Sequence, residues 1–261
     1  MTDANDAIKS LNQARYSQHA AGYVTSTTHA QGDELAHLLD LAQPQADWRV
    51  LDVATGGGHT ALKFAPHVAQ VIATDLTPTM LKAARDFIST YSQAVQFSAA
   101  DGERLPFPST CFDLVTCRIA AHHFPDVWRF VGECARVLKV GGGLLIQDHV
   151  LPEHKKAARY VDGFERLRDP SHVRAFNEYE WRGILLDHDL HIAHSEIILK
   201  RHTLLDWAKR QGCDALTLER LQVMLLRAPQ PVQDHMLPEY AGTDYATFCN
   251  RHIILLGRKT H

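Results

Sequence analysis

Two carboxylates and a run of three glycines stand at spacings that suit a nucleotide site. Asp52 precedes the glycines of Gly56–Gly58, and Asp75 follows Gly56 by 19 residues. Glycine leaves backbone N–H groups open to a ligand, and nucleotide-binding α/β folds place an acid at about this distance to accept two ribose hydroxyls. The alternative is that Asp75 only favours the dipole of the next helix. The spacing favours the ribose role.

The ligand class depends on Asp52. The pattern Gly56-x-Gly58-x-x-Ala61 also satisfies the loose dinucleotide motif, which is weak evidence by itself. A carboxylate at the end of the first strand is a poor neighbour for an anionic pyrophosphate, because like charges repel. It suits a ligand with an ammonium group and a sulfonium, such as S-adenosylmethionine (SAM). We expect SAM as the cofactor and S-adenosylhomocysteine as its product.

Alternating strands and helices position these residues. Five β-forming runs alternate with helical stripes, and the runs lie at 49–53, 68–74, 94–99, 112–118 and 144–150. This rhythm predicts a doubly wound, Rossmann-like α/β fold with a parallel sheet and helices on both faces. The carboxyl ends of such strands meet at one edge, where ligands bind.

The flanks of this core have separate expected roles. We divide the chain into an N-terminal helical arm at 1–45, a cofactor-binding core at 46–150, and a lid at 151–261 that also completes the sheet. By analogy with related enzymes, Tyr16 and Tyr23 in the arm are candidates to close over the cofactor, and the alternative is ordinary surface packing. In the lid, the residues able to meet an anionic or carbonyl-bearing acceptor are Arg166, Arg168, His172 and Arg174, and the alternative is a solvated charged face.

Residues 46 to 150 resemble the class I SAM-dependent methyltransferases. The motifs DVATGGG, Asp75, AADGERLPF, FDLVTCRIAAHHFPD and RVLKVGGGLLI occur in that family's order and spacing. They are most similar to the group around the ubiquinone and menaquinone C-methyltransferases, methyltransferase type 11. The resemblance implies a seven-stranded sheet, mostly parallel, with an antiparallel last strand.

The resemblance also implies the cofactor contacts. The matching positions are Asp52, Thr55, Gly56, Gly57, Gly58, Asp75, Leu76, Asp101, Gly102, Arg118 and Ile119. The first loop with Arg118 and Ile119 would hold the methionine part, and Asp75 the ribose. Leu76, Asp101 and the Gly102 N–H would bind the adenine. One position departs from the family, because Ala54 replaces the usual first glycine, and we expect an ordinary extended backbone there.

Two histidines after the fourth strand are the candidate catalytic base. An acceptor with a hydroxyl, phenol or acidic carbon needs proton removal, and imidazole suits this near neutral pH. His123 is slightly preferred to His122, with Asp148 and His149 as runners-up. The alternative is that the histidine pair only lines or caps the turn.

Composition excludes several classes of protein. The 261 residues are 45% hydrophobic and 22% charged, with a net charge of −3, so a basic nucleic-acid surface is not expected. No apolar run approaches the ~20 residues of a membrane helix, and no histidine pair has zinc-motif spacing. Five scattered cysteines predict reduced thiols in a cytoplasmic protein. The prediction is no metal, no membrane and no nucleic acid, with the oligomeric state open.

The predicted function is methyl transfer from SAM to a small-molecule acceptor. Carbon and oxygen acceptors are mildly preferred by resemblance, and nitrogen and sulfur remain open. The first alternative is an NAD(P)-dependent oxidoreductase on the same glycine loop, which leaves Asp101 and Gly102 without a role. The second is a SAM-binding protein that transfers no methyl group.

Overall fold

The computed structural model describes residues 2–24, 33–91 and 94–261, with side chains for 4–18, 34–91 and 94–261; Tyr23 therefore lies outside the described side chains. The helices are α1 (Thr2–Val24), α2 (Asp33–Ala42), α3 (His59–Phe64), α4 (Pro78–Ile88), α5 (Val127–Val137), α6 (Lys155–Arg168), α7 (Glu178–Leu186), α8 (Leu204–Lys209), α9 (Ala215–Leu226) and α10 (Gln230–Met236). The strands are β1 (Arg49–Val53), β2 (Gln70–Asp75), β3 (Val95–Ala99), β4 (Phe112–Arg118), β5 (Leu138–His149), β6 (Leu190–Thr203) and β7 (Thr247–Lys259).

One mixed sheet contains all seven of these strands. Their order is β3-β2-β1-β4-β5-β7-β6, and β7 runs antiparallel to both of its neighbours. The remaining neighbour pairs are parallel. The predicted Rossmann-like sheet, with its antiparallel last strand, is confirmed.

Each face of the sheet has its own apolar core. Phe130 of α5 and Trp181 of α7 belong to the core on one face. Leu38 of α2, Phe64 of α3 and Ile88 of α4 belong to the core on the other face. A third core, which includes residues of α6, α8, α9 and α10, packs beyond the sheet's carboxyl edge. These helices form a cap above the edge where ligands bind.

Two elements differ from the sequence prediction. Leu138 already pairs with Phe112, and β5 then bulges before Gly143 pairs with Leu114, so the strand begins before its glycines instead of after them. The prolines of Pro229-Gln230-Pro231 predict a break in the helical pattern of the sequence, whereas the structure begins α10 at Gln230. Proline is tolerated in a first helical turn because its missing N–H has no partner there.

Two general properties concern the cysteines and the helices. All five cysteines are free thiols, and Cys117, Cys134 and Cys249 are buried. None of the helices that the structure describes has the length and apolar character needed to cross a membrane.

Gly58 lets α3 approach α4 closely. Its φ is +84°, and a Cβ there would lie 2.6 Å from Ile88 Cδ1 and 3.2 Å from the Ala84 Cβ. We predict that Gly58→Ala lowers the free energy of unfolding by roughly 2–4 kcal/mol, through backbone strain and overpacking. Urea unfolding measures the change. The matched control is Gly163→Ala in α6, where open space predicts a gain of about 0.5–1 kcal/mol. Equal stabilities of the two variants would contradict this interpretation.

Candidate active site

A cavity opens at the carboxyl edge of the sheet, where the loops after β1, β2 and β4 meet. Ten of the eleven predicted cofactor residues line it, and so do His122 and His123. The exception is Gly58, which turns toward α4 instead. The structure therefore brings nearly all of the predicted site together, while Gly58 supports the loop from outside the cavity.

Asp52 is a buried carboxylate held by two hydroxyl groups. The side chain is 1% exposed, and Thr55 and Thr116 each donate a hydrogen bond of 2.6 Å to it. Burial raises the pKa of Asp52 to about 6, although the hydroxyl donors and the charge of Arg118 act in the opposite direction. A cation bound beside this carboxylate would replace part of its lost solvation.

Asp75 joins the glycine loop to the start of α4. Its Oδ2 accepts a hydrogen bond of 3.0 Å from the Gly56 N–H, and its Oδ1 accepts one of 2.8 Å from the Thr77 N–H. Burial raises the pKa of this carboxyl group, and the backbone donors limit the rise. Because a carboxylate has about four lone-pair sites, these bonds leave acceptor capacity for a ligand's hydroxyl groups.

Ala54 does not have the extended backbone expected from its sequence. Its φ is 53°, in the left-handed region that the family's glycine would adopt at lower cost. The chain turns directly after β1, and the Thr55 N–H donates to the Thr74 carbonyl at 2.8 Å, which holds the turn in place. The strain is about 1–2 kcal/mol for a non-glycine residue, so the loop keeps the family's shape at a cost.

Arg118 supplies a positive group in the same cavity as Asp52. Its Nε donates to Thr60 Oγ1 at 3.1 Å, and its charge acts on the Asp52 carboxyl. A carboxylate and a guanidinium side by side match the ammonium and carboxylate of an amino-acid group. With Asp75 placed for a ribose, the donor set fits the methionine and ribose parts of SAM.

A lysine from α1 lies at the end of the cavity beside Asp101, the residue that the sequence predicts to bind adenine. Lys9 Nζ lies 2.6 Å from both Asp101 Oδ2 and Glu103 Oε2. Asp101 Oδ1 accepts the Glu103 N–H at 2.9 Å, so its carboxylate is fixed before a ligand binds. Sequence reasoning missed Lys9, because a polar helical face carries no signal of its distant partner.

Helix α1 also covers the middle of the cavity. Asn12 Nδ2 donates to the His123 carbonyl at 3.0 Å, and Gln13 Nε2 donates to the Leu76 carbonyl at 2.8 Å. Asn12 Oδ1 is buried and has no hydrogen-bond partner among the described residues. The helix therefore contacts the loops after both β2 and β4, and it adds polar groups to the wall of the cavity.

His122 is oriented by Asp148. The His122 N–H donates to Asp148 Oδ2 at 2.8 Å, and its ring Nδ1 lies 2.6 Å from Asp148 Oδ1. Burial raises the pKa of Asp148 to about 6, so above this pH the carboxylate only accepts and Nδ1 carries the proton. No residue that the structure describes bonds to Nε2, and His122 lines the cavity.

His123 has partners at both ring nitrogens. Its Nδ1 lies 3.0 Å from the Ser171 carbonyl oxygen, and its Nε2 lies 2.6 Å from the Tyr16 hydroxyl. Since a carbonyl only accepts, Nδ1 donates and Nε2 accepts from Tyr16. The slight preference of the sequence for His123 over His122 as the base stays a prediction; in this structure the Nε2 lone pair of His123 accepts the Tyr16 hydroxyl.

Further histidines surround this pair. The His122 ring lies 4.6 Å from the His149 ring and 5.2 Å from the His172 ring, between centroids. Burial is the main cause that lowers the pKa of His122, and the charges of His123 and His172 lower it further. Burial is also the main cause that lowers the pKa of His149. His122, His123 and His149, whose pKa values are all lowered, are therefore uncharged near neutral pH.

Of the four polar residues suggested in the lid, only Arg168 lines the cavity. Arg166 and His172 both contact Asp162, and Arg174 pairs with Glu180. These three serve the local structure of the lid.

The Arg168 guanidinium lies 4.2 Å above the Trp207 ring, and its Nε donates to the Trp207 carbonyl at 3.0 Å. Its two Nη groups bond to no residue within the described parts of the chain, so they remain for a ligand.

Comparisons with known proteins identify the family of this chain. A family model described as a methyltransferase domain matches residues 51–146. The uncharacterised methyltransferase YcgJ of Bacillus subtilis is 35% identical, over 95% of this chain and 99% of that protein. The crystal structure of a putative methyltransferase from Bacillus halodurans has a TM-score of 0.84 at 35% identity, covering 88% of this chain and 100% of that chain. A ubiquinone/menaquinone biosynthesis C-methyltransferase of Pseudomonas putida is 35% identical over 48% of this chain and 51% of its own length.

The strand order and the cavity at the carboxyl edge define a class I, Rossmann-like methyltransferase. The similarity to YcgJ extends over nearly all of both chains. The chain belongs to the SAM-dependent methyltransferase family, and SAM is its cofactor. SAM therefore takes the place of NAD(P) as the cofactor, and the oxidoreductase alternative is set aside.

We predict that SAM affinity falls as pH drops through about 6. We expect the ammonium group of SAM to pair with ionised Asp52, whose pKa is about 6 in the free protein, so binding at pH 5 should be about tenfold weaker than at pH 7.5. Calorimetric titration measures this profile. The Asp52→Asn variant should bind SAM weakly, and its affinity should not fall as the pH drops through about 6.

Methylthioadenosine is the matched control ligand, because it keeps the adenosine but lacks the ammonium group. Its profile reports the titration of the other groups, including Asp75. A pH profile for SAM that parallels the methylthioadenosine profile would show that Asp52 does not bind the ammonium group.

Proposed function

We propose that the protein methylates a small acidic molecule at oxygen or carbon, and that His122 removes the acceptor's proton. The observation that supports this is the His122–Asp148 pair, with His122 lining the same cavity as the cofactor loop. A histidine held by a carboxylate at one nitrogen and open at the other is arranged as a general base.

The cofactor's parts fit separate residues of this chain. Asp52 and Arg118 would hold the amino and carboxylate groups, Asp75 the ribose hydroxyls, and Asp101 the adenine. When bound, SAM supplies a methyl group already activated by its sulfonium leaving group. The protein's main task is then to align the acceptor with that methyl group, which is worth roughly 7–11 kcal/mol in favourable cases.

The low basicity of His122 restricts the acceptor. With Nδ1 donating to Asp148, Nε2 carries the lone pair and faces the acceptor space; the Asp148 carboxylate stabilises the ring once it is protonated. Burial lowers the pKa of His122, which makes it a weak base. A weak base removes protons most readily from acidic groups, so a phenol, an enol or a carbon acid between two carbonyl groups fits this site.

His123 acts as a positioning residue in this proposal. Its ring connects the Ser171 carbonyl, in the loop after α6, to the Tyr16 hydroxyl in α1. Through these bonds His123 holds α1 and this loop together over the cavity. Loss of the His123 ring should therefore loosen closure over the cofactor, and it should weaken SAM binding as well as turnover.

Arg168 points to an anionic group on the acceptor. Its stem is fixed by Trp207, and its positive charge acts on the pKa of both His122 and His149, which places it beside the histidine cluster. A guanidinium with free Nη groups binds a carboxylate or phosphate in bidentate form. The proposed acceptor therefore combines an acidic O–H or C–H with a fixed negative charge.

The wider biological setting follows from the same observations. A net charge of −3 and a cavity at the sheet edge favour a small molecule over a nucleic acid as the acceptor. Five free thiols favour the cytoplasm. We retain 1–45 as the arm, 46–150 as the cofactor core, and 151–261 as the lid with the end of the sheet.

The base is tested with methyl-labelled SAM and a panel of small phenolic, enolic and dicarbonyl acids, with mass spectrometry of the products. His122→Asn should lower turnover by about 10²–10⁴-fold and leave SAM affinity unchanged. His191→Asn is the control, because this exposed histidine lies on β6 away from the cavity. Wild-type turnover in His122→Asn would overturn the assignment of His122 as the base. Loss of turnover in His123→Asn alone would instead assign the base to His123.

The acceptor's charge is tested with Arg168→Gln. Loss of a charged hydrogen bond should lower kcat/KM for the acceptor found in the panel by about 10- to 100-fold, with no change in SAM affinity. Arg166→Gln is the matched control, since Arg166 lies outside the cavity and pairs with Asp162. Equal effects of the two substitutions, or a preference of the wild type for the uncharged amide of the acceptor, would contradict this role.

A further inference from the structure

We propose that His37, His194 and Glu196 form a binding site for one divalent transition-metal ion, best suited to Zn²⁺, between α2 and the edge strand β6. One ligand atom from each residue lies within 4.8 Å of the others. The site lies outside the cofactor cavity and has no part in the proposed reaction. The bound ion would link helix α2 to the edge strand β6.

A bulge in β6 creates the ligand pair. Ile192 pairs with Gly257 and His194 with Leu256, so Ala193 is an extra residue without a partner. Before the bulge, Ile192 packs in the core shared with α7. After it, His194 and Glu196 pair with residues whose side chains lie in the core shared with α2. Alternate residues of an unbroken strand share one face, so without the bulge these two side chains would face away from α2.

Helix α2 presents the third ligand at this face. Glu34 Oε2 lies 2.6 Å from Lys200 Nζ, and it accepts a hydrogen bond of 3.0 Å from Gln147 Nε2. These contacts align the helix with the strand and occupy the Glu34 carboxylate. One turn later His37 reaches Glu196 through its Nε2. Three protein ligands therefore come from two elements that are already held in register.

The contacts among the three residues fit a shared ion better than hydrogen bonds alone. His194 Nε2 lies 3.0 Å from Glu196 Oε1, yet it is buried and makes no hydrogen bond with a described residue. Glu196 Oε1 is also the atom that His37 approaches. The His37 and His194 rings lie 6.4 Å apart between centroids, with their planes at 77°. Two rings thus approach one carboxylate oxygen from different directions.

Two imidazoles and one carboxylate are an established zinc ligand set. Sites with three protein ligands keep a fourth position for water. The His37 side chain is 42% exposed, and those of His194 and Glu196 are about one-third exposed, so an ion has access from solvent. The predicted absence of metal rested on motif spacing, which cannot detect ligands that lie 157 residues apart in sequence.

The test uses full-length protein freed of metal with a chelator, then titrated with Zn²⁺ by calorimetry and with Co²⁺ by visible absorption. We expect one equivalent of either ion, a higher Tm with Zn²⁺, and affinity about 100-fold weaker in Glu196→Gln and His194→Asn. The matched control is His191→Asn on the same strand, which should bind as the wild type does. Tm values of the metal-free variants verify that they fold.

Four outcomes would overturn the proposal. One is no saturable binding, and another is unchanged affinity in both Glu196→Gln and His194→Asn. The third is binding that survives these changes but is lost in His149→Asn, which would place the ion in the second group of close ligand atoms, His122, Asp148 and His149. A thiolate charge-transfer band with Co²⁺ would likewise assign the ion to a cysteine.

Discussion

The cofactor edge depends on one interaction, the bridging carboxylate of Asp75. One oxygen accepts a hydrogen bond from the Gly56 N–H of the loop after β1, and the other accepts one from the Thr77 N–H at the start of α4. Two loops from neighbouring parallel strands are thereby fixed to each other. The left-handed Ala54 begins the first of these loops, and Thr55 of the same loop donates a hydrogen bond to Asp52 in β1. The carboxylate that organises these loops is also the group proposed to bind the ribose, so in this proposal structure and binding share one group.

The chemistry of the acceptor side follows from burial. Asp148 and the surrounding histidines are removed from water, which raises the pKa of the acid and lowers the pKa of His122 and His149. The result is a group of neutral imidazoles in the same cavity as the guanidinium of Arg168. These electrostatics support the proposal of an acceptor that is acidic and carries a negative charge, because a weak base removes protons most readily from acidic groups.

The fold was largely predictable from sequence because its signals are local. Apolar periodicity located β4 at Phe112–Arg118 without error, and the glycine loop with Asp75 located the cofactor edge. The contacts of Lys9 and Tyr16 could not be predicted in this way, because each joins residues about 100 positions apart. The backbone of Ala54 was mispredicted because propensity alone was used, whereas the turn after β1 imposes its conformation. The order of His122 and His123 depends on Asp148 and Ser171, which only tertiary structure brings to them.

Calorimetric titration of the cofactor-free protein with SAM, S-adenosylhomocysteine and NADH, repeated with Asp75→Asn, tests the central claim most directly. The account predicts saturable binding of both adenosyl ligands, a large loss of affinity in the variant, and no binding of NADH. The amide keeps the size of the side chain but replaces an acceptor oxygen with a donor, so both the loop bond and the ribose contact are affected. Unchanged SAM affinity in the folded variant, or binding of NADH alone, would contradict the assignment of this edge as the SAM site.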